Sequence, residues 1–370
     1  MDFDFTDEQL ALADLARQIL DDKATPDRLK ELERGEGQRF DPDLWASFAD
    51  AGLIGVALPE AVGGGGYGLS ELAAILEQVG RTTAPIPLFE TVALAGLALA
   101  RFGTAEQQSR YLTSVVAGEL VLTGALQEEG AEPLRPVTTA HRADGTWRVS
   151  GTKLPVPYGQ IADHVLVPAA TSEGTGLFLI AGNADGVGVE PLQTTDGAPA
   201  AEIVLEAVEA EPLGEAGGDP SALDWLLEQA TAAQCALALG VCEEALRLTA
   251  EYTKERRQFD VPIASFQAVG HRAADAYVDV EAIRLTAWQA IWRLSEGLPA
   301  TAEVAVAKYW AAEGGQRVVL AAQHLHGGVG VDRDYPLHRY FLAAKRLELD
   351  LGGGTAQLRA LGRILADEPV

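Results

Sequence analysis

The sequence predicts an α+β protein, mostly α: a helical N-terminal region (1–120), a middle antiparallel β region (121–214) and a C-terminal helical bundle (215–370). Three observations carry this prediction. Apolar residues recur at three- and four-residue spacing through the first third of the chain and again beyond residue 220. Between these regions the period changes: "TWRVSG", "HVLVPA", "GLFLIAG" and "AEIVLEAVEA" are short, rich in β-formers and separated by turn residues such as Asp144-Gly145 and Asp185-Gly186. No helical pattern alternates with those strands, which argues against a βαβ array.

The elements follow in order. Thr6-Asp7-Glu8-Gln9 is a capping box, with Phe5 and Leu10 at the two positions of a hydrophobic staple. Leu12, Leu15 and Ile19 continue the apolar face. In "DPDLWASFADAGL", Asp41 caps a second helix, Pro42 fits its first turn and Gly52 marks its stop. Gly63–Gly66 precede a helix that sets Leu72, Ile75, Leu76 and Val79 on one side. That glycine loop has no Lys-Ser/Thr pair and no preceding strand of βαβ type, so it reads as a connecting turn. Helical pattern runs to about Glu119, and Val121–Leu126 begins the strands. "GEAGGDPS" closes the β region, and Asp219-Pro220 opens a long helix. Breaks at "DVPIAS", "EGLPAT" and "HGGVGVDRDYP" leave four helices and a tail.

At 370 residues the chain is long enough for two or three packed subdomains. With 48% apolar and 22% charged residues it folds rather than staying disordered. A net charge of -26 repels phosphates, which argues against nucleic acid or an anionic membrane as partner. An anionic ligand therefore needs a local cluster of Arg or Lys. The N-terminus lacks a basic and apolar leader, and no apolar run reaches the ~20 residues that span a bilayer, so a soluble, cytoplasmic chain is expected. Cys235 and Cys242 lie two helical turns apart, about 10 Å, too far for a disulfide; two buried thiols without chemistry are expected. No HExxH, CxxC or GxSxG occurs, and His324 and His326 point to different sides of a helix, so no metal site is expected.

Two stretches invite a ligand. In "YTKERRQFDVPIASFQ", Lys254, Arg256 and Arg257 gather positive charge at a helix C-terminus. The helix dipole accounts for such charge, at ~0.3–1 kcal/mol, but not for Phe259 and Gln267. Arginine can fork onto a pyrophosphate while a phenylalanine covers an adjacent flat group. Both readings stand on these residues alone. In "QHLHGGVG", Gly327-Gly328 fits a helix C-cap and equally a close approach by a ligand.

Together "FTDEQLALADLARQ", "GLIGVALPEAVGGGGYGLSELAAILEQVGR", "YTKERRQFDVPIASFQAVGHRAAD", "LHGGVGVDRDYPLHRYF" and "GGGTAQL" resemble the acyl-CoA dehydrogenase family over nearly the whole chain. The resemblance implies that family's fold, with a β-barrel-like middle domain and a C-terminal four-helix bundle. It also implies FAD, an acyl-CoA thioester substrate and an electron-transfer flavoprotein as acceptor. The implied reaction is α,β-dehydrogenation, in which a carboxylate removes the α-proton and the β-hydrogen leaves as hydride to the flavin. By position, Arg256, Phe259 and Gln267 resemble the residues that hold the ADP half of the neighbouring subunit's FAD. Gly327 and Gly328 match the glycine pair that lets the same cofactor approach, and His324 stands where the family usually has glutamine.

The departures concentrate in one place. The family's base position falls on Gly353 by the Gly354-Thr355-Ala356-Gln357 match, or on Leu351 counted from the glycine pair. The second family location falls on Ala230, with Glu228 two residues away. Glu348 and Asp350 are near in sequence but out of register. "Thr-Glu-Pro-Gly" of the family appears as Gln127-Glu128-Glu129-Gly130, and "Trp-Ile-Thr-Asn-Gly" as Pro155-Val156-Pro157-Tyr158-Gly159. The pattern resembles the non-catalytic chain of heterotetrameric acyl-CoA dehydrogenases of actinobacterial steroid side-chain β-oxidation, where a homologous partner supplies the base and flavin pocket. The competing expectations are a self-sufficient enzyme with a displaced base, Glu348 or Glu228, and a non-enzymatic scaffold on the same fold.

Overall fold

Thr6 opens the first helix of the computed structural model, which describes residues 5–35, 38–214 and 221–367. The Gln9 backbone N–H donates to Thr6 Oγ1 at 3.2 Å, and the Thr6 N–H donates to Gln9 Oε1 at 3.1 Å, completing the capping box of α1 (Asp7–Lys23). The staple differs: Phe5 and Leu10 are both exposed, and Phe5 makes a T-shaped contact with Trp288, 4.6 Å between ring centroids. After α2 (Pro26–Arg34), Asp41 caps α3 (Pro42–Asp50) by accepting the Asp43 and Leu44 N–H groups, both at 3.2 Å. The glycine loop before α4 (Leu69–Thr82) is a packed turn, because a Cβ on Gly64 would fall 2.3 Å from the Leu58 carbonyl oxygen. A fully buried stretch with wider, π-type turns, Phe89–Gly96, runs into α5 (Leu97–Phe102). Then α6 (Ala105–Gln107) and α7 (Thr113–Val116) finish the helical region, slightly short of the expected Glu119.

Seven strands follow: β1 (Leu122–Gly124), β2 (Thr139–Ala143), β3 (Thr146–Pro157), β4 (His164–Thr171), β5 (Gly174–Ala181), β6 (Val187–Leu192) and β7 (Ala200–Pro212). Their order is β1-β4-β2-β3-β7-β5 with β6 on β7, and a β4–β5 pairing closes the path into a barrel-like ring. Most pairs are antiparallel, but β1–β4 and β2–β4 are parallel, which corrects a purely antiparallel reading. Alternation tells which face a residue occupies and not which way its neighbour runs. Val149, Val167, Phe178, Ile203 and Leu205 fill the inside.

Inside this unit the Lys153 ammonium binds the Glu128 carboxylate, both side chains almost fully buried. Lys153 also donates to the Pro168 carbonyl at 2.8 Å, while Glu128 accepts the Thr138 N–H at 3.1 Å. Burial alone would raise the Glu128 pKa; the Lys153 ammonium and the N–H donors outweigh it and hold the carboxyl below its ordinary value.

The C-terminal helices are α8 (Ala222–Glu255), α9 (Gln267–Ser295), α10 (Thr301–Tyr309), α11 (Gly315–His326), α12 (Leu337–Leu349) and α13 (Gly354–Asp367). The expected opening at Asp219-Pro220 lies outside the described residues. A π-type turn at Trp310–Gly314 joins α10 to α11 in one rod, so four helices stand as expected, and the tail is itself helical. A small hairpin, β8 (Arg257–Gln258) and β9 (Val261–Pro262), fills the first break. Cys235 and Cys242 are free and buried, and burial pushes both thiols up to about 12. Among the described residues, no helix is long and apolar enough to cross a membrane.

By contact, the described residues fall into two compact units. One comprises Met1–Glu31, Leu72–Ala84 and Thr231–Val370; the other comprises Leu32–Glu71 and Pro85–Ala230. In the first, α4 and α8 cross backbone on backbone. A Cβ on Gly240 would lie 1.9 Å from the Glu77 carbonyl oxygen, and one on Gly80 would lie 2.0 Å from that of Leu237. The crossing buries the Glu77 carboxyl against the Trp288 indole N–H, 3.3 Å, and the Arg284 guanidinium, 3.7 Å. Arg284 is shared with Glu243 at 2.9 Å and Glu281 at 3.3 Å. Burial first, then repulsion from Glu243, outweighs the pull of Arg284 and lifts the Glu77 pKa from 4.5 to about 7.

Two predictions follow from these buried charges. Lys153→Met strands a buried carboxylate and should cost about 3–5 kcal/mol in urea denaturation at neutral pH. Adding Glu128→Leu should recover part of that loss. For Glu77 the native state holds a proton that the unfolded chain has released, so its contribution declines as pH rises from about 4.5 to about 7. The decline is on the order of 3 kcal/mol. Glu77→Gln should flatten that slope and gain stability above pH 7, read from thermal unfolding against pH.

Candidate functional site

The last turn of α8 delivers the chain into a tight projection. The Arg256 N–H donates to the Tyr252 carbonyl, and the Ile263 N–H donates to the Arg256 carbonyl, both at 2.8 Å, closing the hairpin at its base. Arg257 pairs with Pro262 and Gln258 with Val261, which leaves a two-residue turn. Both turn residues have positive φ, 53° at Phe259 and 65° at Asp260, the signature of a type I′ turn. Asp tolerates that backbone; a phenylalanine there costs on the order of 1–3 kcal/mol. The Arg257 guanidinium donates to the Asp260 carbonyl and tightens the turn. The result is a phenylalanine 88% exposed, in T-shaped contact with Phe266 at 6.2 Å between centroids.

Charge on this arm is as unusual as its aromatic tip. Lys254, Arg256 and Arg272 are exposed, and none has a side-chain hydrogen bond or ion pair among the described residues. In a chain with 54 acidic and 28 basic residues, these three cations at the end of α8 and the start of α9 carry charge that no side chain among the described residues neutralises. Arg272 was not among the residues singled out from sequence. Its signal was its place in the stretch "FQAVGHR", five residues beyond Gln267. Gln267 is exposed at the start of α9.

The second component is the turn after α11. Gly327 adopts φ 61° and ψ −135°, a backbone only glycine holds without strain. Gly330 is glycine for another reason: a Cβ there would come within 2.8 Å of the Gln323 carbonyl oxygen. Neither reason applies to Gly328, whose Cβ would meet nothing within 4 Å. Its open face suits an approach from outside the chain. His324 is exposed and unpartnered among the described residues, while His326 is buried. The two components touch through Tyr252, whose ring stacks on His326 at 4.3 Å and 21°. Arg256, Phe259, Gln267, His324, Gly327 and Gly328 thus belong to one arm and the turn attached to it.

The two positions where the resemblance places a base, Gly353 and Ala230, carry no carboxylate. The Gly353 carbonyl accepts the Ala356 N–H at 2.9 Å and opens α13, and a Cβ on Gly353 would press on the Glu348 carbonyl at 3.3 Å. Ala230 is fully buried on α8. Glu348 is tied to Lys345 at 2.5 Å, and Asp350 lies 3.8 Å from Arg346. Gln357 of the motif donates to the Leu351 and Gly352 carbonyls, both at 3.1 Å, so it holds its own turn together. In the other unit, Glu128 is engaged by Lys153 and the Thr138 amide, Pro155 is exposed, and Tyr158 and Gly159 are buried. Among the described residues no group of His, Cys, Asp and Glu converges to hold a metal ion.

Residues 6–119 match the model of the acyl-CoA dehydrogenase N-terminal domain, and residues 221–366 match that of its C-terminal domain. The chain is 44% identical to acyl-CoA dehydrogenase FadE27 of Mycobacterium tuberculosis over 378 residues, covering 100% of both. The chain belongs to the acyl-CoA dehydrogenase family. Its fold is that of the family, with helical N-terminal region, barrel-like sheet and C-terminal helices. Solved structures agree. A variant of the Tcur3481-Tcur3483 steroid ACAD aligns at TM-score 0.92 with 47% identity, covering 97% of this chain and 98% of that one. The ChsE4-ChsE5 complex from Mycobacterium tuberculosis aligns at TM-score 0.95 with 44% identity over 100% of each. PigA, solved with FAD, shares the fold at TM-score 0.91, 25% identity and 99% coverage of each chain.

Gly327 and Gly328 differ in a way that substitution can test in this family member. Gly327→Ala should cost about 1–3 kcal/mol in denaturant unfolding of the chain, because alanine resists the backbone there. Gly328→Ala should stay within about 0.5 kcal/mol of wild type, because nothing within the chain opposes its methyl group.

Proposed function

We propose that this chain is the non-catalytic subunit of a heterotetrameric, FAD-dependent acyl-CoA dehydrogenase. A homologous catalytic subunit supplies the base and the flavin-ring pocket. This chain supplies Arg256, Phe259, Gln267, His324, Gly327 and Gly328 to the ADP half of the partner's FAD. The observation that carries the reading is the contrast between two parts of the molecule. An arm presents a strained, exposed Phe259 beside an unpartnered Arg256, while both base positions are Gly353 and Ala230.

When bound, FAD supplies the two-electron acceptor for α,β-dehydrogenation of an acyl-CoA thioester. The chain's own residues bind and orient. Arg256 offers a planar fork of donors that matches pyrophosphate oxygens, and its lack of a carboxylate partner leaves that fork available. Phe259 offers a flat apolar face that loses water on contact. Gly328 leaves room for close approach at the backbone. Exposed Tyr277, Val278 and Leu285 on α9 support a protein partner on the same helix. The names of the steroid ACAD and of the two-component ChsE4-ChsE5 complex support a heteromer acting on steroid side-chain CoA esters. An electron-transfer flavoprotein would take the electrons onward, in the cytoplasm. A self-sufficient enzyme with Glu348 as base is disfavoured, because Lys345 already neutralises that carboxylate.

The test is purification of the chain alone and with a co-expressed homologous partner, with flavin absorbance, native mass and dye-linked oxidation of a steroid side-chain acyl-CoA as readouts. Alone, the chain should hold little FAD and show no turnover; with the partner, a flavin-loaded heterotetramer should form. In that complex Arg256→Ala should weaken FAD binding by about 1.5–3 kcal/mol without dissociating the subunits. Stoichiometric flavin and turnover in the pure chain would overturn the reading.

A further inference from the structure

The turn that carries Gly327 and Gly328 is clamped from within, and the clamp reaches the base of the Arg256 arm. His326, the last residue of α11, is 3% exposed. Its Nδ1 lies 2.8 Å from the Ala322 carbonyl oxygen. A carbonyl can only accept, so the ring proton sits on Nδ1 and leaves Nε2 bare. Nε2 then accepts from the Tyr335 hydroxyl at 3.2 Å. The ring face stacks on Tyr252, and the Tyr252 hydroxyl donates to the His326 carbonyl at 3.4 Å. Tyr252 lies one turn before Arg256 and accepts its N–H. On the far side of the turn, a Cβ on Gly330 would meet that of His326 at 3.2 Å. One imidazole therefore touches α8, α11 and the segment leading to α12.

We propose that His326 is a positioning residue which, through Tyr252 and Tyr335, sets the spacing between Arg256 and the Gly327–Gly328 pair and so the hold on the cofactor's diphosphate. The proposal rests on the FAD-contact reading above. Burial alone requires the ring nitrogens to be paired; it does not require that the stack and the hydrogen bonds join the end of α8 to the turn that carries Gly327 and Gly328.

The clamp has a defined protonation state. Burial keeps the His326 pKa below its ordinary 6.5, and the Ala322 carbonyl only partly opposes this. The groups around it are the Tyr252 hydroxyl on α8 and the Tyr335 hydroxyl ahead of α12. Glu251, Glu255 and Arg247 of α8 act on Tyr335, and exposed His324 lies two residues back on α11. The native state favours the neutral ring, so the clamp's contribution is complete above pH 6.5 and is lost as pH falls through the lowered native value. Protonation would put a proton on Nε2, reverse its bond with Tyr335 and bury a charge.

The experiment measures FAD dissociation from the assembled heterotetramer by the recovery of flavin fluorescence between pH 5 and 8, with native mass confirming assembly. Wild type should release FAD faster as pH falls. His326→Phe keeps the stack but loses both hydrogen bonds; it should release FAD about tenfold faster at pH 7.5 and lose the acid-dependent rise. Tyr335→Phe should release FAD faster yet keep that rise, since the imidazole is still there to protonate. If both variants match wild type in rate and pH profile while Arg256→Ala loosens FAD, His326 is only a core residue and the proposal fails. If Arg256→Ala also leaves FAD release unchanged, the FAD-contact reading fails first. Should His326→Phe not assemble, a wild-type rate in Tyr335→Phe overturns the proposal by itself.

Discussion

The closest backbone contact at any glycine among the described residues is that of α4 with α8 at Gly80 and Gly240. Either glycine, given a side chain, would drive a carbon into the other helix's carbonyl. The crossing is therefore locked in position along both helices. It forces Glu77 inward, which is why an acidic side chain ends up sharing one guanidinium with two other carboxylates. It also fixes the line of α8, a helix of 34 residues and so about 50 Å long. Tyr252 and Arg256 ride at its end. A shift at the crossing would be carried along the helix to the arm.

Much of this was legible in the sequence, and the misses have definite causes. Helix caps at Thr6 and Asp41 were readable because capping is local chemistry between residues three apart. The switch to strands was readable because period 2 differs from period 3.6. Strand direction was not, since alternation is the same either way, and the parallel β1–β4 and β2–β4 pairs went unseen. Lys153 sits in a strand where a lysine reads as solvent-facing; its partner Glu128 is 25 residues away, beyond any local pattern. Phe259 was marked by its offset from Arg256, but "QFDV" contains no Asn-Gly, so the strained turn was hidden. His326 was weighed as half of a metal pair with His324. Its stack on Tyr252 spans 74 residues of sequence and could only come from the fold.

The site also separates parts of a motif that are usually read as one. Gly354-Thr355-Ala356-Gln357 is present with a glycine, Gly353, directly before it. Gln357 holds the Leu351 and Gly352 carbonyls at the entrance to α13, and Gly354 makes room for Glu313, whose Oε1 would lie 2.5 Å from a Cβ there. These residues serve the turn's own folding, and that duty accounts for them without any chemistry beside them. Glu128 is similar, since its carboxylate answers to Lys153.

Phe259 carries a further implication for the cell. A large ring held out in water by a rigid turn is an adhesive tip whenever nothing covers it. If the proposed partner subunit caps it, production of the two chains is best matched, and a shared transcript would keep their dosage level.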